Sequence, residues 1–182
     1  MDQKNYQLMA QYNQWINAKL LQCAEQVSED ALKKDMGAFF GSILGTLNHL
    51  LVADLIWLNR FATHPANFAA LNALAEFAKP HSLDQHLCEE LADLIEQRQK
   101  LDQIILAFTE ELGNEDLDTH FAYQNMKGEQ FNDPLGFPLQ HFFNHQTHHR
   151  GQLTTLFNQL GIDVGVTDLL MTIRAMDSNQ AP

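Results

Sequence analysis

Read for its alternation of apolar and polar positions, the chain is a succession of helical stripes. Between Tyr6 and Val27, the residues Leu8, Met9, Tyr12, Trp15, Ile16, Leu20 and Val27 recur at steps of three and four. That spacing gathers them on one face of an amphipathic helix. Ser28, Glu29 and Asp30 suit a break and a short helical restart that ends near Gly37. A second helix is expected from about Phe39 to Phe61, apolar on most sides and therefore central among its neighbours. Pro65 closes that region, and Pro80 ends a loosely patterned connector. Ser82, with Gln85 three residues on, reads as a capping box opening a third helix. Leu87, Leu91, Leu94, Ile95, Leu101, Ile105, Phe108 and Leu112 continue it as a long stripe, which Gly113 terminates.

The period then shortens. Phe121 and Tyr123 alternate with polar residues, the segment Asn125-Met126-Lys127-Gly128 follows, and Phe131 comes next, as in a short hairpin or ordered loop. Pro138 suits the first turn of a fourth helix that ends before Gly161, and a short terminal helix is expected from Thr167 to Met176. At 182 residues the chain can bury one core well and is short for two. The expectation is one all-α domain over residues 1–182. It is a four-helix bundle with a short hairpin or loop before the fourth helix and a short C-terminal helix.

Charge removes whole classes of partner. A formal net charge of −12 repels phosphate backbones, and no Lys/Arg cluster offers a local exception, so nucleic acid is not an expected partner. No apolar run approaches the roughly 18–20 residues that span a bilayer, and the first residues lack a basic region followed by an apolar stretch. The expected setting is the cytoplasm, away from membranes. Cys23 and Cys88 fall among Leu and Ala within helical patterns and read as buried small apolar residues, not as a disulfide or Cys-x-x-Cys pair.

Histidine is the chemical signal: nine in all, four of them between His141 and His149. His145 and His149 stand four residues apart on a helical pattern, so both imidazoles share one face, a turn apart. Two neutral imidazoles so placed can converge on one transition-metal ion. His141 and His145 have the same step, so direction must choose. The apolar positions Leu139, Phe142, Leu153, Leu156, Phe157 and Leu160 define the inward direction of the helix. His149 lies roughly 40–50° from it and His145 roughly 90°, whereas His141 and His148 lie beyond about 120°. The inward pair is His145/His149. Upstream, His49 sits in a helix otherwise almost devoid of titratable groups, with Gly45 a turn before it and Ala53 a turn after. Alone it reads as a core histidine bonded to a carbonyl. Beside the other two it completes a three-nitrogen site with one coordination position open, which suits chemistry more than a structural staple. His64, His81, His86 and His120 read as solvated.

Arg150 lies roughly 50° from the apolar direction, close for a guanidinium. It either pairs with Asp54 on the second helix or snorkels to the surface. Gly151, within the helix, is read as a close helix approach.

Three segments together resemble the DinB-like (damage-inducible, YfiT-like) metalloprotein family: Met-Ala-Gln-Tyr-Asn-Gln-Trp-Ile-Asn from Met9, Gly-Ser-Ile-Leu-Gly-Thr-Leu-Asn-His-Leu-Leu-Val-Ala-Asp from Gly41, and Phe-Asn-His-Gln-Thr-His-His-Arg-Gly-Gln from Phe143. The resemblance extends from about Tyr6 to Ile173. It implies a four-helix bundle, often a homodimer, with a divalent metal, zinc or nickel, on a histidine triad that maps onto His49, His145 and His149. It also implies, for the better-understood members, thiol S-transfer to an electrophilic small molecule. Hydrolysis and a non-catalytic metal-binding stress-response scaffold are the alternatives. Tyr12, Trp15 and Tyr123 are candidates for lining the pocket, with plain packing the competing role.

Overall fold

The computed structural model describes residues 2–178 and is mostly helical. Helix α1 spans Gln3–Ala24, opened by the Asp2 side chain accepting from the Asn5 amide. A single-turn helix α2, Glu29–Lys33, follows the expected break, and Ser28 caps it by accepting from the Ala31 amide. The second long helix, α3, runs Ile43–Phe61. It begins four residues later than its apolar pattern suggests, for a local reason. The Met36 amide donates to the Gly41 carbonyl, with Gly37 at φ 71° and Gly41 at φ 72°, so the backbone turns tightly before Ser42 caps the helix. Left-handed φ at both glycines is incompatible with continuing a helix through Phe39 and Phe40.

Between α3 and the next long helix the connector contains a 3₁₀ helix, Ala69–Glu76, whose Leu71 and Leu74 are buried. Helix α4 spans Leu91–Glu111, not the earlier start that Ser82 and Gln85 suggest. Gln85 Oε1 accepts from the His81 amide at 2.9 Å and also meets His81 Nδ1, so that pair closes a connector turn instead of a helix. The short helix α5, Asn114–Leu117, leads into strand β1, His120–Gln124, paired antiparallel with β2, Gln130–Pro134. The hairpin turns on Gly128 at φ 81°, and Phe121 points inward from it. Helix α6 spans Gly136–Gln159 with Pro138 in its first turn, and Gly161 follows its end at φ 76°. Helix α7 covers Leu169–Ser178.

Helix α1 packs on α4 and α6, and α3 packs on α6 and α4. One apolar cluster joins all four long helices. At its centre the Phe61 ring stacks on Phe108 of α4 at 5.8 Å and meets Phe142 of α6 edge-on at 5.9 Å. Both cysteines are buried and unbridged, as their apolar surroundings suggest. Among the described residues no helix is long and apolar enough to cross a membrane.

Beneath the apolar layers lies a buried polar network that the sequence reading assigns differently. Asp54 pairs with Arg98 Nη1 of α4 at 2.6 Å, not with Arg150. Arg98 Nη2 also meets Asp102 at 2.9 Å, Asn17 donates to Asp102, and Gln146 donates to Asp54. Among the described residues Arg150 pairs with no carboxylate, and it does not snorkel. It is 3% exposed, donates to the Asn13 side chain, and lies over the Tyr12 ring at 5.2 Å. From α6, Arg150 reaches Asn13 and Tyr12 of α1 instead. Asp54 is left to a guanidinium that rises from the opposite helix. Gly151 is a second correction: a Cβ there would meet nothing within 4 Å, so no helix approaches it closely.

Candidate metal centre

His49 is carried by the middle of α3, and His145 and His149 by consecutive turns of α6, the helix that packs against it. The three rings converge through their Nε2 atoms: 3.3 Å from His49 to His145, 3.2 Å from His49 to His149 and 3.0 Å from His145 to His149. His49 and His149 are buried and His145 is half-buried at the rim, in the order that the helix direction gives. Among the described residues these three form the group of ligating side chains that can hold a metal ion.

Partners on the far side of two rings decide what the convergent atoms are. His49 Nδ1 lies 2.8 Å from the Leu83 carbonyl, which can only accept, so Nδ1 carries the proton and Nε2 presents a lone pair. His149 Nδ1 donates to Gln152 Oε1 at 2.8 Å, with the same consequence. Both readings of His49 therefore hold together: it bonds a carbonyl and it faces the other two histidines. Protonation does not relieve the crowding of lone pairs. Burial lowers the imidazole pKa to about 4 at His49 and about 3 at His145, and lowers that of His149 as well.

Three neutral nitrogens aimed at one point, with no proton between at least two of them, are poorly served by each other and well served by a cation. Two bonds of about 2.0–2.1 Å at a tetrahedral angle would separate their nitrogens by roughly 3.3 Å. The observed separations of 3.0–3.3 Å are close to that. The donor set therefore fits a divalent transition metal.

Phe40 walls one side of the triad, its ring stacked on His49 at 3.6 Å and 15° and edge-on to His149 at 5.5 Å. Gly45 makes this possible. A Cβ there would lie 2.2 Å from the Phe40 carbonyl oxygen, so only glycine lets the preceding turn close onto α3. A Gly45→Ala chain is expected to lose about 1–3 kcal/mol of stability from this backbone clash. Urea denaturation measures the loss, and loss of the Phe40 ring-current effect on the His49 imidazole protons reports the displaced wall.

His141 and His148 stay outside the triangle and are exposed. His81, His86 and His120 are exposed as expected, but His64 is not: it is 3% exposed and stacks on Phe68 at 5.3 Å. Beside the triad lies a cavity of about 290 Å³ whose lining includes His145, His141, Leu83, Ala53, Ile56 and Trp57. Tyr12, Trp15 and Tyr123 do not line it. Tyr12 instead donates to the Thr167 carbonyl, and Tyr123 to Asp133. The packing role holds for those three, and the aromatic that lines the cavity is Trp57, at the i+8 position from His49 along α3.

The DinB family model matches residues 1–180. The chain belongs to the DinB family. Among curated proteins, this DinB-family chain is 27% identical over 158 residues to Protein DinB of Bacillus subtilis (strain 168), covering 87% of each. No solved structure matches it significantly.

Proposed function

We propose that this DinB-family protein holds one divalent cation, zinc or nickel, on His49, His145 and His149, and that the site activates a small thiol for transfer to an electrophile. The convergence of three neutral Nε2 atoms on one point carries the metal reading. In this reading the four long helices form a four-helix bundle, with ligands from the facing helices α3 and α6. A cation held by three nitrogens supplies an open Lewis-acidic position that lowers the pKa of a bound thiol or water.

The chain's own residues do the rest. Leu83 and Gln152 fix the tautomers and ring planes of His49 and His149, as outer partners do at such sites. Phe40 closes one side of the triad, and the cavity on the other gives access to His145. The thiol gives up its proton to solvent, its sulfur bonds to the electrophilic carbon, and the leaving group departs with the electron pair of the broken bond. The absence of Asp and Glu from the cavity lining favours a thiol, acidic enough once activated to need no separate carboxylate base.

The test is turnover of 1-chloro-2,4-dinitrobenzene with a panel of low-molecular-weight thiols. The expected result is conjugate formation that disappears in metal-free protein and returns when zinc or nickel is restored. Ester hydrolysis without added thiol would replace transfer with a hydrolase. Metal-loaded protein that neither binds thiols nor turns over either class would make the family's scaffold reading the better one.

A further inference from the structure

The cavity beside the triad adjoins a second one of about 440 Å³, and Ile56, Arg60, Asn125 and Met126 line both. Their lining has an unusual charge. Acidic residues outnumber Lys and Arg by 23 to 11 in the chain, yet no Asp or Glu lines either cavity, while Arg60, Lys79 and Lys127 do. Arg60 is half-buried, and among the described residues it pairs with no carboxylate. Its guanidinium is nevertheless held in place, 4.5 Å from the Trp57 ring centroid and 5.9 Å from that of Tyr123. A partly desolvated, oriented guanidinium with no anion of its own is a receptor for one.

The helix register connects this cation to the triad. His49, Ala53, Trp57 and Arg60 follow one another at steps of four, four and three along one stripe of α3, opposite His141 and His145 on α6. The His141 ring lies 5.9 Å from that of His145 and 5.1 Å from that of Trp57, so the wall is continuous from triad to guanidinium. Arg60 lies over Trp57, eight residues beyond His49, which places its guanidinium roughly 12 Å along the helix from the triad. Between the two ends the surface is largely apolar: Ala53, Ile56, Trp57, Leu83 and Met126.

We infer that the cavity beside the triad, with its neighbour, binds an elongated, largely apolar small molecule that ends in an oxyanion, a carboxylate or a phosphate ester, with Arg60 holding that oxyanion roughly 10 Å from the triad. The apolar middle lies on Ile56, Trp57 and Met126, and Lys79 and Lys127 add positive potential at the mouth. This deepens the reading of the triad as the reacting centre and depends on it only for which end of the molecule reacts. A polar sugar-like ligand would leave this apolar wall unmatched.

The experiment is calorimetric titration of the full chain, metal-free and zinc-loaded, with octanoate, octanamide and octyl phosphate, whose extended chains have the required length. In both forms octanoate is expected to bind about tenfold or more tightly than octanamide, since only the carboxylate makes a charge-assisted pair. Arg60→Met should erase that preference while leaving octanamide binding unchanged, which shows the cavity intact. Arg60→Lys should keep part of it. Comparing octanoate with octyl phosphate shows which oxyanion Arg60 holds better. Equal binding of octanoate and octanamide, no binding of any, or a preference that survives Arg60→Met overturns the inference. A preference that persists in protein unable to take up zinc leaves the oxyanion site standing and removes the metal reading instead.

Discussion

His49→Ala and His149→Ala chains, prepared without an affinity tag, are expected to lose stoichiometric metal, whereas His148→Ala keeps one ion per chain. Removing a partner behind a ligand commonly costs 10- to 100-fold in affinity, so removing the ligand itself should cost more than about 100-fold. His148 makes the contrast sharp. It neighbours His149 in sequence and their rings are 4.8 Å apart, yet it lies outside the triangle of Nε2 atoms and meets Gln152 instead. Elemental analysis gives the stoichiometry. Thermal unfolding gives an independent reading: an ion at 100 times its dissociation constant stabilises the folded chain by about 2.7 kcal/mol. For a chain of this size that raises Tm by roughly 5–10 °C. The rise should be present in the parent and in His148→Ala and absent in the two triad variants. Full occupancy in both triad variants would remove the assignment.

The His145/His149 half of the triad could be read from sequence because its geometry is intrahelical. A four-residue step fixes His145 and His149 relative to each other, and the stripe of Phe142, Leu153 and Leu156 fixes which way they face. What surrounds the triad comes from segments whose conformation is set by long-range contacts. Phe40 reaches His49 only because Gly41 is left-handed and Gly45 has no Cβ, and Leu83 reaches it from the connector. That connector is fastened by Asn48, whose side chain accepts from the Leu87 and Cys88 amides and donates to the Cys88 carbonyl. No periodicity announces such bonds. The partner of Asp54 was harder for a different reason. A long flexible guanidinium can be delivered from any adjacent helix, and both Arg98 on α4 and Arg150 on α6 are on helices that pack against α3. The signal for Arg98 was present all the same: it occupies the stripe position between Leu94 and Leu101 on α4, with Asp102 one turn on. His64 follows the end of α3, and its burial comes from Phe68 in the connector and Phe121 on β1, which no local periodicity announces.

Arg98→Met is expected to destabilise the chain by about 3–5 kcal/mol, the usual consequence of removing one partner from a buried ion pair. Arg98 lies between two carboxylates, all three groups being at most 4% exposed, so its loss leaves Asp54 and Asp102 buried together with no paired counter-charge, only the more distant field of Arg150. The pH dependence identifies the cause. In the parent, burial pushes Asp54 up to about 6 despite the pull of Arg98, and burial raises Asp102 as well. A carboxyl whose folded pKa is raised contributes stability fully present below its unfolded value, near 3.8, and lost as pH rises through the folded value, near 6. Without Arg98 both carboxyls rise further, so the variant gains more from acidification than the parent does. The deficit measured by urea denaturation should therefore be smaller at pH 5 than at pH 8. The titrating histidines are common to both chains and largely cancel in the difference. Adding Asp54→Asn and Asp102→Asn to Arg98→Met removes both stranded charges, and much of the lost stability should return, now without the pH dependence. A deficit equal at both pH values and unmoved by the two Asn substitutions would mean that Arg98 matters for the space it fills, not for the charges it holds together.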